Sequence, residues 1–364
     1  MDEPQRQMQR YGPSAEQHRD VEHQFAHLKV SGGTNHFGDN YYTANVQSAG
    51  EQSNHRERLL NSLRYDHMNA RLNDIEEACK GTFEWLLKDD ETEAWSKRHF
   101  NKRIASFPQW LESDGHEVYV IEGKPGSGKS TLMKFFHQQL VERSSTSDSI
   151  SKRCVLSHFF WLGGSVMQKP LKGMLLNLAF QLLYVVDARR LEDRALLPRQ
   201  PKMQHTDWSN KELGKFIIDT MKTIPQELHV LIDALDEFDP EVDKVNELAT
   251  FLKLLSQQQN VKLCVSSRPL AWVDKNFDTK WRLRLQDANH EDIRALAEVT
   301  LNELADAHEL VLTRALRRTI LDEVLEKADG VFLWVTYALK NVSLGLEAFD
   351  SAGTLLARIS KLPS

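Results

Sequence analysis

The residues able to do chemistry in this chain fall into three groups. The first is GKPGSGKS at 123–130, a gapless fit to G-x-x-x-x-G-K-[ST]. Gly123, Gly126 and Gly128 permit positive φ and carry no Cβ, so successive backbone N–H groups can turn inward around phosphate oxygens. Lys124, Pro125, Ser127 and Thr131 complete the loop and the first turn of the helix it opens, whose N-terminus adds partial positive charge. Lys129 is placed to reach β- and γ-phosphates, and the Ser130 hydroxyl to ligate Mg²⁺. The second group lies further on, in HVLIDALDEFD at 229–239. Its apolar run ends in Asp233, a carboxylate suited to holding Mg²⁺ through water, and Asp236 and Glu237 follow as acids able to orient or deprotonate an attacking water. Either could be the working acid, and acidic clusters after strands also occur as plain solvent-facing turns. The third is Arg268, between VKLCVSS and Pro269. There a guanidinium could sense a γ-phosphate through paired hydrogen bonds, or simply be a surface arginine on a β–α loop. His137, His158 and His229 lack ligand spacing and read as structural, and Phe159, Phe160 and Trp161 as core or sheet edge.

For these groups to meet, each must sit at the carboxyl end of a strand in one parallel sheet. Strands are predicted at 118–123, 154–162, 229–235 and 261–267, with a short fifth at 281–285. Helical patterns separate them: TLMKFFHQQLVE after the glycines, a stripe of Leu171, Met174, Leu175, Leu178, Leu182 and Val186, and 245–255. The alternation predicts a parallel sheet covered on both faces, which the continuous apolar strand cores also require. After Asp287 only helical patterns remain. Upstream, Leu59, Leu63, Met68, Leu72, Ile75 and Cys79 recur as on one side of a helix that Gly81 ends, and 88–98 is a solvated charge run. No internal repeat points to a solenoid or propeller.

Composition narrows the function classes. The 46 Lys+Arg against 52 Asp+Glu leave a formal net charge of -6, so no global positive field attracts nucleic acid and that partner is excluded at this stage. The most apolar stretch, 174–186, is short and interrupted by Asn177 and Gln181, so no membrane span is expected. The N-terminus lacks a secretory pattern, and Cys79, Cys154 and Cys264 read as reduced core residues of a cytoplasmic protein. Residues 1–56 are expected to be mostly disordered. Within them 31–42 is a Gly/Asn/aromatic stretch that reads either as a flexible linker or as a cross-β signalling segment.

Six blocks together resemble the NACHT class of signal-transducing NTPases, in the nephrocystin-like form abundant in fungal NLR-type proteins. They are LLNSLRYDHMNARLNDIEEACKGTFEWLL (including Arg71, Ile75 and 82–86), VIEGKPGSGKSTLMKFF, SHFFWLGGSVMQKPLKGMLLNLAFQLL, HVLIDALDEFD, VKLCVSSRP and ADGVFLWV, in that order. The resemblance implies an ATP or GTP switch whose nucleotide state controls oligomerisation through the nucleotide-binding domain. It implies a signalling partner for the N-terminal segment and a role in non-self recognition and programmed cell death in heterokaryon incompatibility. It assigns Mg²⁺ to Asp233, hydrolysis to Asp236 and Glu237, and a sensor role to Arg268. Two departures stand out. Gly330-Val331-Phe332 stands where related switches carry Gly-x-Pro against the adenine, and the sequence ends before any winged-helix or repeat domain.

The reading is therefore a three-layer α/β P-loop NTPase sheet of the additional-strand class at 111–286. A helical lead-in at 57–110 precedes it, and a helical subdomain at 287–364 follows it. Two other readings use the same loop: a metabolic kinase or phosphotransferase, and an interaction protein in which nucleotide is only structural.

Overall fold

Side-chain alternation along the first strand decides the architecture. In β1 (Tyr119–Glu122), Tyr119 and Ile121 enter one apolar cluster while Val120, with Val118 before it, enters another, so both faces of the sheet are covered. The computed structural model describes residues 50–88, 105–146, 154–186, 198, 200–240, 244–308 and 311–363. Within the unit Glu51–Ser364, β1 is joined by β2 (Cys154–Phe159), β3 (Leu228–Asp233), β4 (Val261–Ser267) and β5 (Arg282–Arg284). All neighbours are parallel, in the order β2-β3-β4-β1-β5. Read from the other edge, this is the 5-1-4-3-2 order of the additional-strand class. Register sets the site: Phe159 pairs with Asp233 and Glu122 with Ser267, so the carboxyl ends of the strands share one rim.

The two faces are built from different helices. The Val120 face is packed by α5 (Leu171–Val185), α6 (Asn210–Met221) and α7 (Val245–Ser256) through Leu175, Leu182, Ile217, Leu248 and Leu252. The Tyr119 face is packed by α4 (Lys129–Thr146) through Leu132, Met133, Phe136 and Leu140, and by α3 (Phe107–Glu112) through Phe107 and Trp110. Phe107 stacks on Phe136 with centroids 3.8 Å apart, and full burial of such side chains contributes about 1.5–3 kcal/mol each. At the open edge, Gln181 of α5 accepts from Ser157 N–H at 2.9 Å and donates to Ser157 O at 2.7 Å. That bracket occupies backbone groups of β2 that would otherwise invite another strand.

The lead-in departs from the expected single helix. It comprises α1 (Gly50–Leu63), which begins inside the stretch expected to be disordered, and a short α2 (Ala70–Asp74). Between them His67 takes φ 65°. The reason is the sheet: Leu59, Leu63 and Tyr65 belong to the Val120-side core, whereas Ile75, Phe83, Trp85 and Leu86 belong to the Tyr119-side core. One straight helix cannot serve both faces, so the chain turns and crosses. Lys134 of α4 fastens the second half, donating to Ile75 O at 2.5 Å and pairing with Glu77 at 2.8 Å.

After β5 comes a four-helix group with its own core. Here α8 is Ala271–Asn276, and the group is α9 (His290–Ala307), α10 (Arg314–Ala328), α11 (Phe332–Glu347) and α12 (Ala352–Ser360). Ile293, Leu301, Ile320, Val335, Val342 and Leu355 fill its interior. Among the described residues, no helix is long and apolar enough to cross a membrane. The cysteines carry free thiols: Cys264 is buried as expected, while Cys79 and Cys154 are only half-buried. The readings at 1–49 and most of the 88–98 charge run lie outside the described residues.

Candidate functional site

The glycines take the conformations that a phosphate loop needs. Gly126 and Gly128 have φ of 72° and 91°, in the left-handed region. A Cβ on Gly123 would lie 2.4 Å from Ser127 Oγ, so a side chain here would have to displace that hydroxyl. Helix α4 opens at Lys129, and its first backbone acceptor, Gly128 O, receives Leu132 N–H at 2.9 Å. The N–H groups of Lys129, Ser130 and Thr131 therefore have no intrahelical acceptor and form the positive end of the helix. Lys129 arches back over the loop, donating to Gly123 O at 2.8 Å and Lys124 O at 3.0 Å.

The acidic tip sits beside this loop. Asp233 ends β3 fully buried, and its Oδ1 accepts from the Ser266 hydroxyl of β4. Ser266 Oγ also accepts from Ala234 N–H at 3.1 Å, holding the chain where Ala234 turns left-handed at φ 58°. Asp233 Oδ2 has no hydrogen-bond partner. Burial raises the Asp233 pKa, and hydrogen bonding from Ser130 and Ser266 and the charges of Arg71 and Lys129 oppose the rise. Ser130 and Asp233 thus stand together, and an orphaned carboxylate oxygen next to a hydroxyl at a helix N-terminus is a donor set that fits Mg²⁺. Lys129 feels the same cluster. Burial lowers its pKa, Arg268 adds to the lowering, and Asp236, Asp233 and Glu237 oppose it.

The remaining acids face different partners. Asp236 accepts from Arg268 twice, from the backbone N–H at 3.0 Å and from Nε at 2.9 Å. Glu237 Oε2 accepts from Leu162 N–H at 2.9 Å, which turns it toward the end of β2. The structure therefore brings all the expected charged residues to one rim, but pairs Arg268 with Asp236 and sets Glu237 apart.

The sequence names part of the segment that covers the loop, Gly330-Val331-Phe332 in ADGVFLWV, but not its contacts there, and it does not mark Asn289. Asn289 Nδ2 donates to Ser127 O at 3.1 Å and to Gly330 O at 2.9 Å. Leu333 N–H donates to Gly126 O at 3.1 Å, and Lys124 pairs with Asp329. A Cβ on Gly128 would meet Phe332 at 3.0 Å. The Gly330-Val331-Phe332 departure is thus where the subdomain lies against the glycines. Asp292 of α9 accepts from Phe83 N–H and Trp85 Nε1–H, both at 3.0 Å, tying the lead-in to the same region. Of these residues Asp329, Phe332 and Leu333 lie in ADGVFLWV and Phe83 and Trp85 in the lead-in block, but no spacing marks their contacts, and Asn289 and Asp292 stand in no quoted block.

Comparison with known proteins places this geometry. No curated protein matches the chain. Among solved structures it is similar to the ADP form of ORC2 from Aeropyrum pernix, at 16% identity over 80% of this chain and 72% of that one, with a TM-score of 0.46. PCH-2 from C. elegans gives 13% identity, 76% and 68% coverage and a TM-score of 0.37. The Aeropyrum pernix ORC1 protein in complex with DNA gives 13%, 76%, 68% and 0.41. The exclusion of nucleic acid is withdrawn: an overall negative charge does not settle the question, because local patches govern such contacts, and the last of these proteins is described in complex with DNA. Residues 81–268, from the end of the lead-in through the loop and acidic strand to Arg268, match the family described as Nephrocystin 3, N-terminal. The chain is a P-loop NTPase fold and belongs to the nephrocystin 3 N-terminal family.

Proposed function

We propose that the chain is a nucleotide-binding NTPase switch that holds ATP or GTP with Mg²⁺ at the carboxyl rim of β1, β3 and β4. The observation that carries this reading is the meeting of Lys129, Ser130 and Asp233 at the opening of α4, with Asp233 Oδ2 left unpartnered. In this reading 123–131 wraps the phosphates, with backbone N–H groups directed inward and Lys129 moving from the loop carbonyls to the β- and γ-phosphates. Ser130 and Asp233 would hold Mg²⁺, which when bound would supply charge neutralisation at the phosphates. Asp236 positions Arg268 through its two hydrogen bonds, and Glu237, fixed by Leu162 N–H, is the acid left to orient an attacking water.

The finer assignment follows the resemblance: a NACHT-type, cytoplasmic signalling switch of the fungal NLR kind, acting in non-self recognition or programmed cell death. Its supports are the six ordered sequence blocks and the placement of the C-terminal helices on the phosphate loop. Slow turnover is expected of a switch, whereas a metabolic kinase would show rapid phosphate transfer to a small acceptor. The deciding measurement is calorimetric binding of Mg²⁺ with ADP, GDP and their triphosphate analogues. Lys129→Ala removes a charge-assisted contact of about 1.5–3 kcal/mol, so affinity should fall about ten- to a hundred-fold. Unchanged affinity in that variant would refute the site.

A further inference from the structure

The lead-in contains a cation that the site as described does not use. Arg71, in α2, has no ion pair among the described residues, and its Nε is buried without a hydrogen-bond partner. Its guanidinium lies over the Trp161 ring, 5.4 Å from the centroid. Trp161 follows directly on the end of β2, where Phe159 pairs in register with Asp233 and Phe160 N–H donates to Asp233 O at 3.2 Å. Arg71 also lines a small cleft with Phe159 and Ser157. It is therefore one strand away from the acidic tip, on the side where Glu237 meets Leu162.

This placement is held from both sides. Upstream, Gln168 Nε2 donates to His67 O at 3.1 Å, fixing the left-handed turn that precedes α2. Downstream, Lys134 donates to Ile75 O at 2.5 Å. On the other side of the guanidinium, Trp161 N–H donates to Gln168 O at 3.2 Å and Leu162 N–H to Glu237. A long, flexible side chain has thus been given a fixed root and a fixed aromatic platform, and its Nε is left without a partner. Close by is Asp233, whose Oδ1 accepts from Ser266 and whose buried Oδ2 has no hydrogen-bond partner. Arg71 is half-buried, with its Nε shut off from solvent, and Asp233 is fully buried; they lie within electrostatic reach with no ion pair between them, an arrangement that suits a group bearing both signs placed between the two. A metal-bound phosphate has that character: the metal meets the carboxylate, and phosphate oxygens meet the guanidinium fork.

We infer that Arg71 binds the terminal phosphate of the nucleoside triphosphate, making the lead-in a reader of that phosphate. The inference rests on the proposed nucleotide site and adds to it a residue from outside the sheet. It requires Arg71 to discriminate triphosphate from diphosphate, whereas Lys129 acts on both.

The test is calorimetric titration of the full chain with Mg²⁺ and either ADP and its β,γ-imido triphosphate analogue or the guanosine pair, whichever binds. Arg71→Gln should weaken the triphosphate analogue by about tenfold or more and leave the diphosphate within about twofold. Arg71→Lys keeps charge and stem but loses the fork, and should fall between, which retains the test if the glutamine variant fails to fold by thermal unfolding. Lys129→Ala should weaken both ligands, which shows that the site itself is intact as proposed. Equal losses for the two ligands in Arg71→Gln, or no loss for either, overturn the role of Arg71 alone. Failure of the unaltered chain to bind any of these nucleotides overturns the site and the inference together.

Discussion

The buried carboxyl of Asp292 should make the stability of this protein fall between mildly acidic and neutral pH. Burial raises its pKa from 3.8 to about 6, hydrogen bonds from Trp85 Nε1–H and Phe83 N–H oppose the rise, and Glu291 adds to it. Below about pH 4 the group is neutral in both the folded and the unfolded chain, so it makes no difference between them. Between about pH 4 and 6 the folded chain keeps a proton that the unfolded chain has released. Stability therefore drops as pH rises, and the loss is complete above the folded pKa. At about 1.36 kcal/mol per pH unit of displacement, ionising Asp292 inside the fold costs about 3 kcal/mol.

Asp292→Asn isolates this effect. Asparagine is neutral throughout and keeps one acceptor, but it turns an NH₂ toward the second donor, losing about 1–3 kcal/mol. The absolute stabilities of the two proteins near pH 7 are thus close, and the sign of their difference is not the test. The slope is. Urea unfolding followed by tryptophan emission from about pH 4 to about pH 7 should show the gap between wild type and Asp292→Asn changing by about 3 kcal/mol in favour of the variant. Other titrating groups, such as Glu212 with its lowered pKa, affect both proteins alike and cancel in the difference. Parallel curves would refute the assignment of a raised pKa to Asp292, and with it the view that Phe83 and Trp85 are held by a strained buried acid.

Two further substitutions test the local geometry of the site. Ser266→Ala leaves both Asp233 Oδ1 and Ala234 N–H buried without their partner, so it should lower stability by about 2–4 kcal/mol in denaturant unfolding; a loss under about 0.5 kcal/mol would discount the bridge. Gly126→Ala forces alanine into φ 72° and sets its Cβ 2.7 Å from Leu333 Cβ. It should cost about 2 kcal/mol or more, whereas Gly115→Ala, whose nearest neighbour is a Glu117 atom at 3.7 Å, should change little.

The parts of this fold legible in the sequence are those with local causes. Strands β1, β3 and β4 are buried on both faces, so they read as unbroken apolar runs, and the motifs at their carboxyl ends fall at the rim by topology alone. Helix α6 has an equally local cause: Ser209 Oγ accepts from Glu212 N–H at 3.2 Å and the Glu212 carboxylate accepts from Ser209 N–H at 3.0 Å, the S-x-x-E box that begins a helix. The crossing of the lead-in was not legible. Its apolar spacing suits one helix, and only the separation of Leu63 from Ile75 by the sheet shows why it must break. The cover of the loop by Asn289 and Leu333 joins residues far apart in sequence, and no spacing rule marks such contacts. The pairing of Arg268 with Asp236 was hidden for the same reason, since each is consistent alone with a solvent-facing or a catalytic role.

What joins the C-terminal helices to the sheet bears on how the proposed switch would work. Their core is filled by their own side chains, and Phe332 packs against both that core and the one beneath the sheet. Around Phe332 the ties are polar and end on the phosphate loop: Asn289 on Ser127 O, Leu333 N–H on Gly126 O, and Asp329 on Lys124. The first two use carbonyls of the loop's own peptides: Ser127 O shares its plane with Gly128 N–H, and Gly126 O with Ser127 N–H, which donates to Lys124 O at 3.2 Å. A peptide plane that rotates to aim its N–H must also rotate its C=O, because the two are rigidly coupled. A ligand that reorients the loop therefore acts on these ties directly, without a relay through the sheet. With Gly330 at φ 77° and a Cβ there meeting Gln286 atoms at 2.6 Å, the turn that carries Leu333 has little room to absorb such a rotation. The movement must then pass to α11 as a body or be resisted by it. In either case the helices and the phosphate loop share one conformational equilibrium, and a difference in nucleotide affinity between two positions of α11 is, by linkage, a force on that helix.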